Sequence, residues 1–323
     1  MPLLPSDRSG AVVIGGANLD VRARSTSPAL PATSNPGTVT MAPGGVGRNV
    51  AETLARLGTP VRLVAAVGRD DPGERLLTET AAAGVDVEHV VRTDQPTGSY
   101  VAVLGADGEL VVAVSDMAGT DQLCPDDVRR VEPLVAAAAV LVLDGNLSTA
   151  TLDAALEVAA AAGTPVLLDP VSVPKAARLA PLLGSDLPLL AVTPNLAELG
   201  ALTGRDADDE SELPAATADL HRLGIEHVWA RLGAAGSILS TGGRTVRLPA
   251  VPGPVIDVTG AGDAMLAAYC HALLAGSTPV AAARLGHAAA ALTIAVPQTT
   301  RTDLSPTLLE QTLADAPALT ETP

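Results

Sequence analysis

The feature that most constrains this chain is a repeated alternation of short apolar stretches with stretches patterned as helices. "AVVIGGANLDV" (11–21), "VRLVAAVG" (61–68), "VLVLDG" (140–145), "PVLLDP" (165–170), "LLAVTPN" (189–195) and "HVWARLG" (227–233) each run apolar and then end on Gly, Asp or Asn. Between and after them lie "GVGRNVAETLARLG" (45–58), "DDPGERLLTETAAAG" (70–84), "ATLDAALEVAAAAG" (150–163), "LAELGALTG" (196–204), "AGDAMLAAYCHALLAG" (261–276) and "VAAARLGHAAAALTIAV" (280–296). Their apolar residues recur at helical spacing, and several close on a Gly in the C-cap position. Strands that are apolar throughout, rather than alternating, belong to mostly parallel sheets covered by helices on both faces.

Two segments break this rhythm. "TGSYVAVLGADGELVVAVSD" (97–116) alternates strictly about an Ala-Asp-Gly-Glu centre, the pattern of a β-hairpin. The piece from about 20 to 42 reads as extended. Together they predict a small, discontinuous β structure set against the main sheet. No internal repeat or composition break divides the rest, so residues 1–323 are expected to form one domain. The part after Pro306 is expected to form a short helix with a loose end. Phe is absent and Tyr100, Tyr269 and Trp229 are the only aromatic residues, so the core must be packed from Ala, Val and Leu.

Charge and cysteine usage exclude several function classes. A net charge of −16 opposes binding to a phosphate backbone, so no nucleic-acid partner is expected. Cys124 and Cys270 lie far apart, with neither a CxxC pair nor a Cys/His cluster. The N-terminus lacks a basic segment leading into an apolar core, and "LVAAAAVLVL" (134–143) is too short for a membrane span. The expectation is a soluble, cytoplasmic protein without a membrane partner.

In an open parallel sheet, ligands bind beyond the carboxyl ends of the strands. The candidates there are Asn18, Asp20, Gly44, Gly45, Asp144, Asn146, Asp169, Asn195, Glu198, Gly233 and the stretch from Asp257 to Asp263. "VIDVTGAGDAM" (255–265) is the most informative. Gly260-Ala261-Gly262 lets backbone N–H groups converge ahead of a helix whose dipole adds positive potential, which suits an anion. Asp263 stands at the same spot, where it either caps the helix or serves a second reactant. Each candidate alone admits a structural role; their convergence on one edge points to a site.

The motifs that carry a resemblance are "APGGVGRNVAETLARLG" (42–58), "TPNLAELGALTG" (193–204) and "VIDVTGAGDAM" (255–265), in an order and spacing that span nearly the whole chain. They resemble the signatures of the PfkB, or ribokinase-like, family of sugar and nucleoside kinases. The resemblance implies a three-layer αβα sandwich with a small β-sheet lid, and transfer of the γ-phosphoryl of ATP to a hydroxyl. It implies that backbone groups of Gly260, Ala261 and Gly262 hold the phosphoryl and that Asp263 is the general base. It assigns Mg²⁺, through water, to Asn195 and Glu198, and nucleotide contacts to Asn195, Arg231, Gly233, Gly236 and His287. At Arg231 the family often has Thr, which leaves the hydroxyl contact open there; an arginine can instead meet a phosphate or take a surface role. Asp257 and Thr259 match positions associated with K⁺, although "VPQTTRT" (296–302) lacks the glycine common there.

The acceptor is implied to lie on Asn18, Asp20, Gly44, Gly45, Asn49 and Asp144, short polar groups suited to sugar hydroxyls. "SNPGTVTMAPGGVGRN" (34–49), "DGELVVAVSDM" (107–117), "LVLDGNLS" (141–148) and "TDLS" (302–305) resemble the pseudouridine kinase branch. A pyrimidine ring is then expected against Tyr100, Met41 or Met117, with Ser115 or Asp116 reading its polar edge; Asp116 is the expected ligand. Other acceptors open within the family are ribose, adenosine and a hexose such as fructose. A non-catalytic nucleotide-binding regulator is the alternative from another class, against which the intact Asp263, Asn195 and Glu198 count. Pairing of the lid between two copies is expected, since an exposed sheet edge needs covering.

Overall fold

The structure, a computed structural model, describes residues 4–5, 7–184, 186–206 and 210–316. Eight strands form the central sheet, in the order Arg244–Leu248, Ser237–Thr241, His227–Arg231, Leu189–Val192, Val166–Asp169, Val140–Asp144, Ala11–Ile14, Val61–Val64. The last six of these run parallel, and Ser237–Thr241 and Arg244–Leu248 add an antiparallel hairpin at one edge. That hairpin is the one part of the sheet that the β–α rhythm does not announce, because only the single 3-10 turn Gly233–Ala235, and no α-helix, separates it from His227–Arg231.

Alternation along each strand divides the core in two. Val12, Ile14, Leu141, Leu143, Val166, Leu168 and Val228 pack with residues of Thr149–Ala162, Leu196–Thr203 and Leu213–Arg222 on one side. Ala11, Val13, Val140, Val142, Leu167 and Trp229 pack on the other with Val46–Arg56, Ala261–Leu274 and Pro279–Thr293. This is the three-layer sandwich expected from strands apolar on both faces. The chain's few aromatic rings are used where volume is greatest: Trp229 and Tyr269 are fully buried with centroids 4.9 Å apart.

Helix boundaries follow local chemistry. Asp70 caps Asp71–Ala82 by accepting from Gly73 N at 2.9 Å, and Gly58 and Gly84 take left-handed conformations just past helix ends. A separate four-stranded sheet forms the lid, in the order Gly37–Gly44, Asn18–Ser25, Ser99–Leu104, Leu110–Asp116. Its second half is the expected hairpin, turning at Gly108 with φ +91°. Two short parallel strands, Ala66–Gly68 and Val91–Thr93, form a separate two-stranded sheet. No helix among the described residues is long and apolar enough to cross a membrane.

Candidate active site

A cavity of about 680 Å³ opens at the carboxyl ends of the parallel strands, within the range typical of small-molecule sites. Asp169, Asn195, Glu198, Arg231, Gly233, Gly236, Gly262, Asp263 and His287 all line it. Six residues expected for nucleotide and metal, with three of the expected catalytic group (Ala261, Gly262 and Asp263), are thus brought to one pocket by five different elements.

Asp263 belongs to helix Ala261–Leu274, but it does not cap it. Gly260 is the N-cap, with φ +80°, and no side chain closes that end. The first intrahelical bond runs from Ala264 N to Gly260 O at 2.9 Å, which leaves the N–H groups of Gly262 and Asp263 ahead of it in the first turn, the geometry of an anion site. Gly260 is obligatory on two counts: its φ is left-handed, and a Cβ there would run into the Thr299 carbonyl. Asp263 Oδ2 accepts from Asn49 Nδ2 at 2.8 Å. Burial pushes its carboxyl up to about 7, assisted by the charges of Asp169 and Asp144 and opposed by Asn49 and Arg231. A half-buried carboxylate poised near neutrality is equipped to take a proton from a hydroxyl.

The nucleotide side is organised by acid and arginine together. Asn195 and Glu198 form a reciprocal capping box: Glu198 N donates to Asn195 Oδ1 at 2.9 Å, and Asn195 N donates to Glu198 Oε2 at 2.8 Å. Arg231, at the end of its strand, places Nη1 3.0 Å from Asp169 Oδ2 and Nη2 3.5 Å from Glu198 Oε2. Its guanidinium lies against Gly262, where a Cβ would collide with Nη1. An arginine therefore sits between the acids and the anion-binding turn, a position that suits contact with phosphate. Gly233 and Gly236 have φ of +58° and +90°, and a Cβ at Gly236 would strike the Leu248 carbonyl. His287 contributes an edge of the wall, but its Nε2 pairs with Ser237 Oγ at 2.7 Å and its ring meets Trp229 edge-on. Burial lowers its pKa to about 4, so it is neutral.

Mg²⁺ fits this donor set only as an ion held through water. Among the described residues no three His, Cys, Asp or Glu side chains form a direct cage. The Asn195–Glu198 box keeps Glu198 Oε1 outside these bonds, and Mg²⁺ characteristically retains waters and takes phosphate oxygens as ligands. Asp257, expected to face K⁺, is instead the partner of Arg22 from the lid, while its Oδ1 accepts from Thr259 N at 2.9 Å.

The lid register sorts the expected acceptor residues. Asp20, Tyr100 and Ser115 are direct cross-strand partners and share one face with Asn18 and Arg22. Arg22 reaches Asp257 and the Pro297 carbonyl, so that face looks onto the sandwich. Asn18 Nδ2 donates to Asp20 Oδ1 at 2.7 Å, and a Cβ at Gly44 would displace the Asp20 carboxylate. Gly45, φ +94°, turns the chain into the helix that carries Asn49. Asp116 pairs with Ser99, one residue out of phase, and falls on the outward face with Val112 and Val114. This corrects the assignment of Asp116 as an acceptor ligand: a period of two sends neighbours to opposite faces. Met41, partner of Val21, faces outward too. Asp144 is also used differently from the expectation. It is 2% exposed, and its oxygens accept from Gly16 N and Asn146 N, both at 2.8 Å, so it braces the turn leading to Asn18.

Residues not singled out by their spacing complete the site. Arg22 latches lid to core, and the apolar segment through Val251, Val255 and Val258 walls the cavity. Its Pro and Gly run without a helix or strand period was the available signal.

The pfkB family carbohydrate kinase model matches residues 8–307. Among characterised relatives, the pseudouridine kinase of Escherichia coli is 32% identical over 301 residues, 93% of this chain and 95% of that protein. The ribokinase of Haemophilus influenzae is 30% identical over 255 residues, 78% of this chain and 80% of that one. Among solved structures, a carbohydrate kinase from Agrobacterium tumefaciens superposes with a TM-score of 0.82 at 34% identity, covering 97% of this chain and 99% of that one. Arabidopsis thaliana ribokinase, solved with ribose and ATP, superposes at 0.81 with 25% identity over 95% and 99% of the two chains. With the family match spanning the sheet, the lid and the Asp263 turn alike, this chain belongs to the PfkB family of carbohydrate kinases and is a phosphotransferase with an alcohol group as acceptor.

Proposed function

We propose that the protein transfers the γ-phosphoryl group of ATP to the 5′-hydroxyl of a nucleoside, with pseudouridine as the acceptor. The observation that carries this reading is the placement of Asp263, held by Asn49 from the acceptor side and raised to about 7, beside the Gly260–Gly262 turn. The acceptor enters between the lid face bearing Asn18 and Asp20 and the turn Gly44–Gly45. Asp263 takes the hydroxyl proton as the oxygen forms its bond to phosphorus. The bond to the bridging oxygen breaks, and ADP leaves with the electron pair. First-turn N–H groups of Gly262 and Asp263, with Arg231, meet the charge on the transferring group. Mg²⁺ held near Glu198 and Asn195 supplies charge neutralisation on the phosphates when bound.

Support for a nucleoside comes from the likeness to the E. coli pseudouridine kinase and from Tyr100 and Ser115 on the inward lid face, which suit a planar ring with a polar edge. Ribose is the second reading, favoured by the likeness to ribokinases. The outward lid face bears Val39, Met41, Val112 and Val114, each more than half exposed. A sheet face this apolar suits cover by the same face of a second copy, and we include a lid-to-lid homodimer in the proposal. The test is ADP release with ATP and Mg²⁺ across pseudouridine, uridine, adenosine, ribose and fructose. Preference for pseudouridine is expected. Preference for ribose or adenosine overturns the acceptor and leaves the chemistry, whereas no turnover with any acceptor favours a nucleotide-binding regulator.

A further inference from the structure

Arg48 lies one residue before Asn49 in helix Val46–Arg56 and is 3% exposed. No step of the chemistry above uses it, yet each of its nitrogens is engaged. Nε donates to Thr80 Oγ1 at 3.2 Å, Nη1 donates to the Pro43 carbonyl and to Asn49 Oδ1, both at 3.1 Å, and Nη2 pairs with Glu52. Glu52, 2% exposed, is also held by Arg56, whose Nη1 donates to the Thr302 carbonyl at 2.6 Å. The guanidinium thus joins the end of a lid strand, the helix Asp71–Ala82 and the side chain that faces Asp263.

An asparagine amide has one accepting end and one donating end, and a guanidinium can only donate. With Arg48 Nη1 at Asn49 Oδ1, the amide nitrogen must point away from the arginine, and it meets Asp263 Oδ2 at 2.8 Å. The reversed amide would set an NH₂ against a cation and a carbonyl oxygen against a carboxylate. Two unfavourable contacts would replace two favourable ones. The planar fork of arginine also reaches Pro43 O and Glu52 from the same group, which a lysine's single nitrogen cannot match.

We propose that Arg48 is a positioning residue for phosphoryl transfer: through Asn49 it fixes which end of the amide faces Asp263. This rests on the reading of Asp263 as the base. Arg48 touches neither reactant; its effect passes through Asn49. The hydrogen bond it enforces is among the influences that hold Asp263 below the value burial alone would give. Loss of the arginine frees the amide to turn and its hydrogen bond to lapse. A misplacement of about 1 Å at a reacting group costs on the order of 10²-fold in rate.

The test is a double-mutant cycle in kcat, with Arg48→Met, Asn49→Ala and the double variant, each checked for its thermal midpoint and for ATP binding by calorimetry. Arg48→Met is expected to lower kcat about 10- to 100-fold with ATP affinity within about threefold of wild type, and to lower it by less than about threefold when Asn49 is already Ala. Arg48→Lys, read in the same cycle, gives the measurement should the Met variant not fold; it keeps the charge and one donor and is expected to recover part of the loss. Equal, multiplicative losses in both backgrounds would overturn the proposal, because a merely structural arginine acts whether or not Asn49 is present. Asp263→Asn run alongside separates the two readings. If that variant turns over normally, the base assignment fails; if it is dead and the cycle is additive, only the role of Arg48 fails.

Discussion

Replacing Asp263 by Asn should make the protein more stable and nearly inactive. The side chain keeps its shape and loses a charge that sits in a poorly solvated place. Its folded-state pKa of about 7 exceeds the ordinary value of 3.8, so the folded state binds the proton more tightly than the unfolded state does. A group of this kind contributes fully to stability below about pH 4, and that contribution is lost as pH rises through about 7. The gap corresponds to about 4 kcal/mol at ~1.36 kcal/mol per pKa unit, and the opening of Asp263 onto the cavity brings it to about 2–4 kcal/mol. Urea unfolding at pH 8 should therefore show Asp263→Asn more stable by that amount, with the advantage shrinking towards pH 4. In parallel, kcat should fall by about 10²–10⁴, the usual scale for a general base. For the wild type, kcat/KM should rise about tenfold from pH 6 to pH 8, since a base with a pKa of about 7 is mostly protonated at the lower value. An advantage over wild type no larger at pH 8 than at pH 4 would refute the burial argument. A kcat within a few-fold of wild type would refute the base assignment.

Arg231→Met should cost roughly 3 kcal/mol, because it leaves Asp169 and Glu198 buried without their cation, and should raise KM for ATP more than KM for the acceptor; unfolding midpoints and steady-state kinetics check both. Gly260→Ala should destabilise by about 1–3 kcal/mol and depress kcat, since the residue must hold φ +80° against the Thr299 carbonyl; an unchanged Tm would contradict the assigned turn. Val112→Glu with Val114→Glu, on the outward lid face, should convert a dimer to monomers in sedimentation equilibrium, and unaltered association would remove that face as the interface. Arg22→Ala should free the lid from Asp257 and raise KM for the acceptor, with little change in the thermal midpoint, because both partners of the pair are partly exposed.

Much of this molecule is legible from residue order. Strands apolar on both faces demand helices on both sides, and the structure divides Val12 and Ile14 from Ala11 and Val13 accordingly. The two extended runs of 99–116, joined at an Asp-Gly turn, mark the lid hairpin, and the chain turns there at Gly108. Convergence of Asp169, Asn195, Glu198, Arg231 and Asp263 on one cavity follows from the rule that parallel strands end on the same edge. The local chemistry of the Gly260–Gly262 turn is equally written in its residues.

Tertiary structure decided what depends on phase, orientation and partners distant in sequence. Asp116 and Ser115 are neighbours, and only the pairing of Ser99 with Asp116 and Tyr100 with Ser115 settles which of them faces the sandwich. Asp144 looks like any acidic strand end until Gly16 and Asn146 are found on its oxygens. The sequence presents Asp257 as a carboxylate awaiting a cation and Arg22 as a lid charge; their meeting, 235 residues apart, is a property of the closed chain. Arg48 and Asn49 are adjacent in the sequence, but the bond from Asn49 to Asp263 spans 214 residues and gives that adjacency its consequence. Propensity and periodicity are local quantities, whereas a hydrogen bond's direction is set by whichever group the fold brings to its other end.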